Sequence, residues 1–370
     1  MAGLSSFRPK FLYPNWNHTD LKSRMHSKRW TGRRMNIFNK KWPACILLPF
    51  SAIYHAITVF RNLLYDHRIL PICKLKTKVI SVGNLTVGGT GKTPTVAFLA
   101  KHYMDQGKKI AILSRGYGRK SREQLLVCDG KDILESWQKA GDEPYMLAKR
   151  LCVPILVDTD RCRGGQTLVR DFQPDIILLD DAFQHRRLYR DADVVTFNGQ
   201  NYFGNGYLLP AGPLRESKRS LKRADILWIN SSKNRNQQLP FSRKKSIRAT
   251  YSVKNLVSAS RKVPCSELRD QNIVAVSGIA NPENFIRTLE TLGANISKSY
   301  QFKDHHHYRS EEIRTIESRA ERLGLHWIVT TEKDWYKLAP FMNQKLWYYL
   351  NIEIELLNPK ESDICLLLNI

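Results

Sequence analysis

The stretch Ile80-Ser81-Val82-Gly83-Asn84-Leu85-Thr86-Val87-Gly88-Gly89-Thr90-Gly91-Lys92-Thr93-Pro94 decides the fold. An apolar run enters a glycine-rich turn, and a helical pattern begins at Lys92. The pattern G-x-x-x-x-G-K-[ST] is met at every fixed position except the first, where Thr86 stands for Gly. Gly88, Gly89 and Gly91 allow successive backbone N–H groups to turn inward as an anion nest, and the helix adds its positive end. Thr86, Val87, Gly88, Gly89, Thr90, Gly91, Lys92 and Thr93 are therefore the candidate nucleotide-binding loop. Lys92 would reach the β- and γ-phosphates of ATP, and the Thr93 hydroxyl would reach Mg²⁺.

Such a loop needs a carboxylate at the end of a second buried strand. Ile176-Ile177-Leu178-Leu179-Asp180-Asp181 supplies one. A strand this apolar is covered on both faces, so acids at its carboxyl end open onto the ligand crevice of a parallel sheet. Asp180 or Asp181 is expected to hold Mg²⁺, directly or through water.

Around these two strands, short apolar runs alternate with helical patterns. Strands are predicted at 78–82, 109–113, 155–157, 176–179, 194–197 and 226–229, with helices at 92–106, 143–151 and 163–171. That alternation implies an α/β fold: a P-loop NTPase-like, mostly parallel sheet with helices on both faces. After a basic, polar passage near Arg243–Ser252, strands at 273–276, 296–302 and 327–330 and helices at 282–292 and 310–322 suggest a second, smaller α/β unit. The division is a core domain over 71–250, a smaller domain over 253–345, and a tail strand from Leu346 to Leu356, within 346–370, completing the core.

The chain has 370 residues with 59 Lys+Arg against 34 Asp+Glu, a formal charge of +25. That excess favours anionic partners: nucleic acid, acidic lipid headgroups or phosphorylated substrates. Seven cysteines, an odd number with no C-x-x-C spacing, argue against a disulfide framework and a zinc ribbon. Residues 1–41 form a basic extension, open to reading as a transit peptide, a polybasic membrane arm or sequence upstream of a start at Met35. From Trp42 to Phe60 no charged residue occurs, but Pro43, Pro49 and His55 count against a membrane span. Phe50, Ile53, Tyr54, Ile57, Phe60 and Leu64 fall on one helical face, so 42–70 is expected to hold an amphipathic helix lying in a membrane interface.

Several blocks together resemble the lipid A 4'-kinase (tetraacyldisaccharide 4'-kinase) family. They are Gly83–Pro94, Ser114-Arg115-Gly116-Tyr117-Gly118, Gly141-Asp142-Glu143-Pro144 and Asp180-Asp181-Ala182-Phe183-Gln184-His185. Further on come Pro210–Glu216, Phe302-Lys303-Asp304-His305-His306 and Thr330-Thr331-Glu332-Lys333-Asp334. The resemblance implies a phosphotransferase acting on the 4'-hydroxyl of a tetraacylated glucosamine disaccharide 1-phosphate, with ATP and Mg²⁺. Asp142 would be the catalytic carboxylate and His305 its partner. Asp180, Asp181 and Glu216 would join Thr93 in the metal and phosphate network, with Arg215 near the transferring phosphoryl. Arg115, Tyr117 and Arg161 would hold the disaccharide and its phosphate. Thr330–Asp334 receives no role.

A sugar hydroxyl is a poor nucleophile, so a carboxylate or imidazole must accept its proton as the P–O bond forms. His305 lies in the smaller unit and Lys92 in the core, so closure of the two on ATP is expected to bring Asp142 and His305 together. Consecutive histidines at 305–307 point to different sides and do not suit one metal. The implied partners are the lipid A disaccharide precursor and an anionic membrane surface, peripheral on the cytoplasmic face of the bacterial inner membrane. No nucleic acid and no obligate protein partner are expected. The competing reading is a nucleic-acid-stimulated P-loop NTPase, which the charge alone would allow.

Overall fold

A computed structural model describes residues 41–117, 119, 121, 123–230 and 245–357. The basic extension apart from Lys41, the motif residue Gly118, the start of the basic passage at Arg243 and the tail beyond 357 lie outside the described residues.

One 13-stranded sheet organises the chain, in the order β11-β10-β12-β13-β8-β7-β6-β1-β5-β2-β4-β3, with β9 paired to β8. Its middle strands are β1 (Lys78–Asn84), β2 (Ile110–Ser114), β5 (Ile176–Asp180), β6 (Ala192–Asn198) and β7 (Ile226–Asn230), all mutually parallel where they pair. Toward one end lie β4 (Pro154–Val157) and the antiparallel edge β3 (Leu125–Asp129). The other end holds β8 (Ser246–Val257), β9 (Lys262–Pro264), β10 (Asn272–Ser277), β11 (Asn295–Gln301), β12 (Ile328–Thr331) and β13 (Trp347–Leu356).

Both faces of the central strands are covered, as their unbroken apolar runs require. On one face Ile80 and Val82 pack with Val96, Leu99 and Tyr103 of α2 (Lys92–Met104) and Leu147 of α4 (Asp142–Leu151). On the other, Val79, Leu113 and Leu179 pack with Leu168 of α5 (Arg161–Phe172). The short helix α3 (Trp137–Ala140) precedes α4, and the smaller unit adds α6 (Pro282–Thr291), α7 (Ser310–Arg322) and α8 (Glu332–Leu338).

The polar passage near 243–252 holds a strand. From residue 246 the chain forms β8, which pairs parallel to β7 through Ser246–Ala249 and antiparallel to β13 through Ala249–Val257. In turn β13 pairs with β12, so the tail strand sits between the two α/β units. The β8–β13 ladder carries the sheet from one unit to the other, and a domain division at 71–250 and 253–345 remains a proposal drawn at that ladder.

The first helix, α1 (Lys41–Asp66), continues past Pro49. Its apolar stripe points outward: Ile46, Phe50, Ile53, Ile57 and Phe60 are each more than half exposed, with Ile46 at 72%. Its polar side faces the protein. Ser51 Oγ donates to the Leu208 carbonyl at 2.9 Å, and Tyr54 Oη donates to the Arg215 carbonyl at 2.9 Å. Tyr54 and Leu64, expected on the apolar face, are half-buried instead. By length and composition Ile46–Asp66 could also cross a membrane.

Arg61 anchors this helix. Its Nη2 lies 2.6 Å from Oε1 of Glu216, whose side chain is 0% exposed, while Arg223 Nη2 lies 2.7 Å from Oε2. A buried carboxylate must be paired. Arg61→Ala is expected to lower the free energy of unfolding by about 2 kcal/mol, the usual loss for a hydrogen bond to a charged group. Denaturant unfolding checks it; no change in midpoint would mean that Arg223 satisfies Glu216 alone.

Candidate active site

The phosphate loop follows β1 and closes into α2. Gly91 caps that helix at φ 83°, in the left-handed region. A Cβ there would lie 2.0 Å from Tyr251 Oη and 2.4 Å from Asn230 Nδ2, so glycine is required both by conformation and by space. The loop is braced from below. Thr90 Oγ1 lies 2.8 Å from Thr196 Oγ1, and Asn230 Nδ2 donates to the Thr90 carbonyl at 2.8 Å. Thr86 makes a short antiparallel bridge with Leu214, and the Val87 amide donates to Pro213. That bridge delivers Arg215 and Glu216 to the loop. The substitution of Thr for Gly at 86 is thus made in a residue packed against 213–215.

Lys92, the first residue of α2, places Nζ 3.7 Å from Asp181 Oδ1. Arg215 Nη1 donates to both Asp181 oxygens at 2.9 and 3.1 Å. Burial raises the Asp181 carboxyl, but Lys92 and Arg215 outweigh it and hold the group below the ordinary value. Asp180, next to it at the end of β5, is fully buried and its Oδ1 has no hydrogen-bond partner among the described residues. Burial, then the Glu143 and Asp181 charges, push its carboxyl well up. A buried, unpartnered carboxyl oxygen at the end of β5, together with a threonine hydroxyl at the start of α2, is a donor set that fits a hard divalent cation such as Mg²⁺. Glu216 differs: both of its oxygens are taken by arginines, so a cation could use it only by displacing one guanidinium.

Arg161, at the start of α5, is buried and donates to the Asp158 carbonyl. Burial and the neighbouring Arg115 lower its guanidinium to about 10, against the pull of Asp180 and Asp181. Arg115 and Arg161 therefore sit together beside the β5 carboxylates. Tyr117 is 72% exposed, its ring 5.6 Å from that of His305. The buried Nε2 of His185 has no hydrogen-bond partner among the described residues. Burial, reinforced by Arg161 and Arg190, lowers its ring to about 4.

Across the crevice, His305 Nδ1 lies 3.1 Å from Asp142 Oδ2. The separation that closure is expected to shorten is thus a hydrogen bond in this structure. Asp142 opens α4, and His305 sits in a tight left-handed turn (φ 61°) after β11. Lys333 Nζ approaches the opposite edge of the ring, 3.2 Å from Nε2, and also lies 3.1 Å from Asp304 Oδ1. An ammonium only donates, so Nε2 accepts and the ring proton sits on Nδ1, facing Asp142. Burial raises the Asp142 carboxyl, but the His305 hydrogen bond, Lys337 and Lys333 together draw it down to about 2. The other two histidines diverge: His306 stacks on Phe302 and bonds Glu312, and His307 lies against Trp137.

Sequence reasoning left Thr330–Asp334 without a role and did not single out Lys337. The structure places Lys333, Asp334 and Lys337 around the Asp142–His305 pair. A lysine three residues after an aspartate on a helix reads as a solvated charge pair, and nothing local marks it as buried.

Comparison with known proteins bears on the whole chain. A model of the family described as tetraacyldisaccharide-1-P 4'-kinase matches residues 43–369. The tetraacyldisaccharide 4'-kinase of Syntrophus aciditrophicus is 39% identical over 341 residues, covering 86% of this chain and 91% of the relative. That of Halothermothrix orenii is 36% identical over 341 residues, covering 84% of this chain and 88% of the relative. The crystal structure of LpxK from Aquifex aeolicus in complex with ATP matches with a TM-score of 0.75 and 34% identity, covering 88% of this chain and 99% of that one. With most of its length matched by sequence and by structure, the chain belongs to the tetraacyldisaccharide 4'-kinase family.

Proposed function

We propose that the chain transfers the γ-phosphate of ATP to the 4'-hydroxyl of a tetraacylated glucosamine disaccharide 1-phosphate, a step of lipid A biosynthesis. The observation that carries this reading is the meeting of two half-sites across one crevice. A phosphate loop with Lys92 faces the carboxylates of β5, and α4, which opens on the Asp142–His305 pair, brings the Glu143 charge close enough to Asp180 to raise that carboxyl. Family membership favours this reading over a nucleic-acid-stimulated NTPase.

In this reading the Thr86–Thr93 amides and Lys92 cradle the triphosphate, and Arg215 meets the charge that develops on the transferring group. Asp142 Oδ2 is engaged by His305 and Lys337, while Oδ1 makes no hydrogen bond among the described residues. Oδ1 is therefore the atom to receive the hydroxyl proton as the new P–O bond forms and the bond to the departing ADP breaks. His305, with its Nδ1–H on Oδ2, orients that carboxylate. Arg115, Tyr117 and Arg161 would hold the disaccharide and its existing phosphate. Thr93, Asp180 and Asp181 would hold Mg²⁺, with Glu216 joining on release of one arginine. When bound, the ion would supply positive charge against the negative charge of the triphosphate.

The outward stripe of α1 supports a seat at the cytoplasmic face of the inner membrane, since a contiguous exposed apolar patch is rare on a soluble monomer. An acylated acceptor would reach the crevice from that side. The test is incubation of the purified chain with radiolabelled ATP and the disaccharide 1-phosphate, with and without vesicles containing anionic lipid. Label transfer to the lipid, stimulated by the vesicles, is expected; no transfer under either condition overturns the proposal.

A further inference from the structure

Lys337 is a lysine with almost no access to solvent, 1% exposed, in the middle of a protein that offers it two carboxylates. Its Nζ lies 3.2 Å from Asp142 Oδ2 and 3.0 Å from Asp334 Oδ1. Asp334 is itself fully buried, and its other oxygen accepts from the Gly278 amide at 2.8 Å and the Thr331 hydroxyl at 2.7 Å. A chain of charge therefore runs from the turn after β10, through α8, to the first residue of α4. Tyr308 closes it above, with the ammonium 5.5 Å from its ring centre.

Burying three charged groups is costly, and a packed apolar cluster of the same volume would hold the helices at least as well. Asp142 keeps its charge in this setting because two ammonium groups on α8, Lys333 and Lys337, face it together with the Nδ1–H donor of His305 on the turn after β11. Asp304 and Asp334 balance the two lysines on their far sides, and Glu143 lies next to Asp142 on α4 itself.

We infer that Lys337 is a positioning residue for phosphoryl transfer: it locks Oδ2 of Asp142 beside His305, so that Oδ1 is left ionised and turned toward the acceptor hydroxyl. The inference rests on the kinase reading above and deepens it. Lys337 touches neither the phosphate loop nor the β5 carboxylates. Its loss acts on turnover and on Asp142, and not on nucleotide binding. A misaimed carboxylate costs a reaction of this kind about tenfold or more in rate.

The experiment compares the full chain with Lys337→Met, Lys337→Arg and the double variant Asp334→Leu/Lys337→Met. The double variant removes the buried pair as a neutral unit, so it carries the test if the single methionine variant does not fold. Expected for the methionine variants are a fall in kcat of at least about tenfold, an unchanged KM for ATP, and partial recovery with arginine. In an Asp142→Asn background, Lys337→Met should add nothing, because its effect passes through that carboxylate.

A second readout needs no turnover. With carboxyl-labelled aspartate, the Asp142 carbon, assigned with Asp142→Asn, should stay flat between about pH 4 and 7 in the wild type, and begin to titrate in Lys337→Met. A folded methionine variant with wild-type kcat and a flat Asp142 signal overturns the inference while leaving the kinase reading intact. A wild type that transfers no phosphate overturns the kinase reading, and the carboxyl titration still decides whether Lys337 governs Asp142.

Discussion

Asp142→Asn is expected to lower kcat about a thousandfold while ATP binds as before, the middle of the range for loss of a general base. Asparagine keeps the size of the side chain and can still accept from His305 Nδ1, so the geometry around 305 persists. What it cannot do is take a proton from a sugar hydroxyl. The sign of the pH effect follows from the folded-state carboxyl, which is depressed from 3.8 to about 2. A depressed carboxylate contributes stability that is present above its ordinary value and lost as pH falls through about 2. Asp142 therefore stays ionised through the physiological range, and no acidic limb of kcat between about pH 5 and 8 should belong to it. Equal turnover by wild type and Asp142→Asn, measured with saturating ATP, would remove Asp142 from the chemistry.

The phosphate loop was legible because its requirements are local. Glycines must stand where the amides turn inward, and a lysine and a threonine must open the helix; both conditions concern neighbours in sequence. The same holds for β5, whose four apolar residues before Asp180 can only be a strand covered on both faces. What sequence could not show are relations between distant segments. In β8 the residues Arg248 and Ser252 belong to a passage that reads only as basic and polar, yet the strand is fixed by ladders to β7 and β13. The apolar periodicity of 42–70 locates a stripe but not what it faces, and the structure turns that stripe away from the protein. Glu216 reads as a metal ligand by resemblance, but Arg61 and Arg223 reach it from elements that only the fold brings near. The unassigned Thr330–Asp334 block proves to be the wall behind Asp142, because Thr331 and Asp334 anchor the helix that carries Lys337.

The second large effect is expected for Lys92→Ala: a fall in kcat of about a thousandfold with little change in stability. Lys92 reaches Asp181 only at 3.7 Å, from a partly exposed position, whereas Arg215 grips the same carboxylate at 2.9 and 3.1 Å. A long, partly solvated ion pair contributes less than about 1 kcal/mol, and Asp181 keeps its stronger partner when Lys92 is removed. The fold should therefore hold, with an unchanged urea midpoint. Phosphoryl transfer has no such reserve. Arg215, held by Asp181, is assigned to the transferring group and does not replace the Lys92 ammonium at the β–γ bridge, where only the loop amides would remain. A folded Lys92→Ala protein that retains activity within about tenfold of wild type would show that this ammonium does not face the transferring group, and the placement of the triphosphate in the Thr86–Thr93 loop would have to be abandoned.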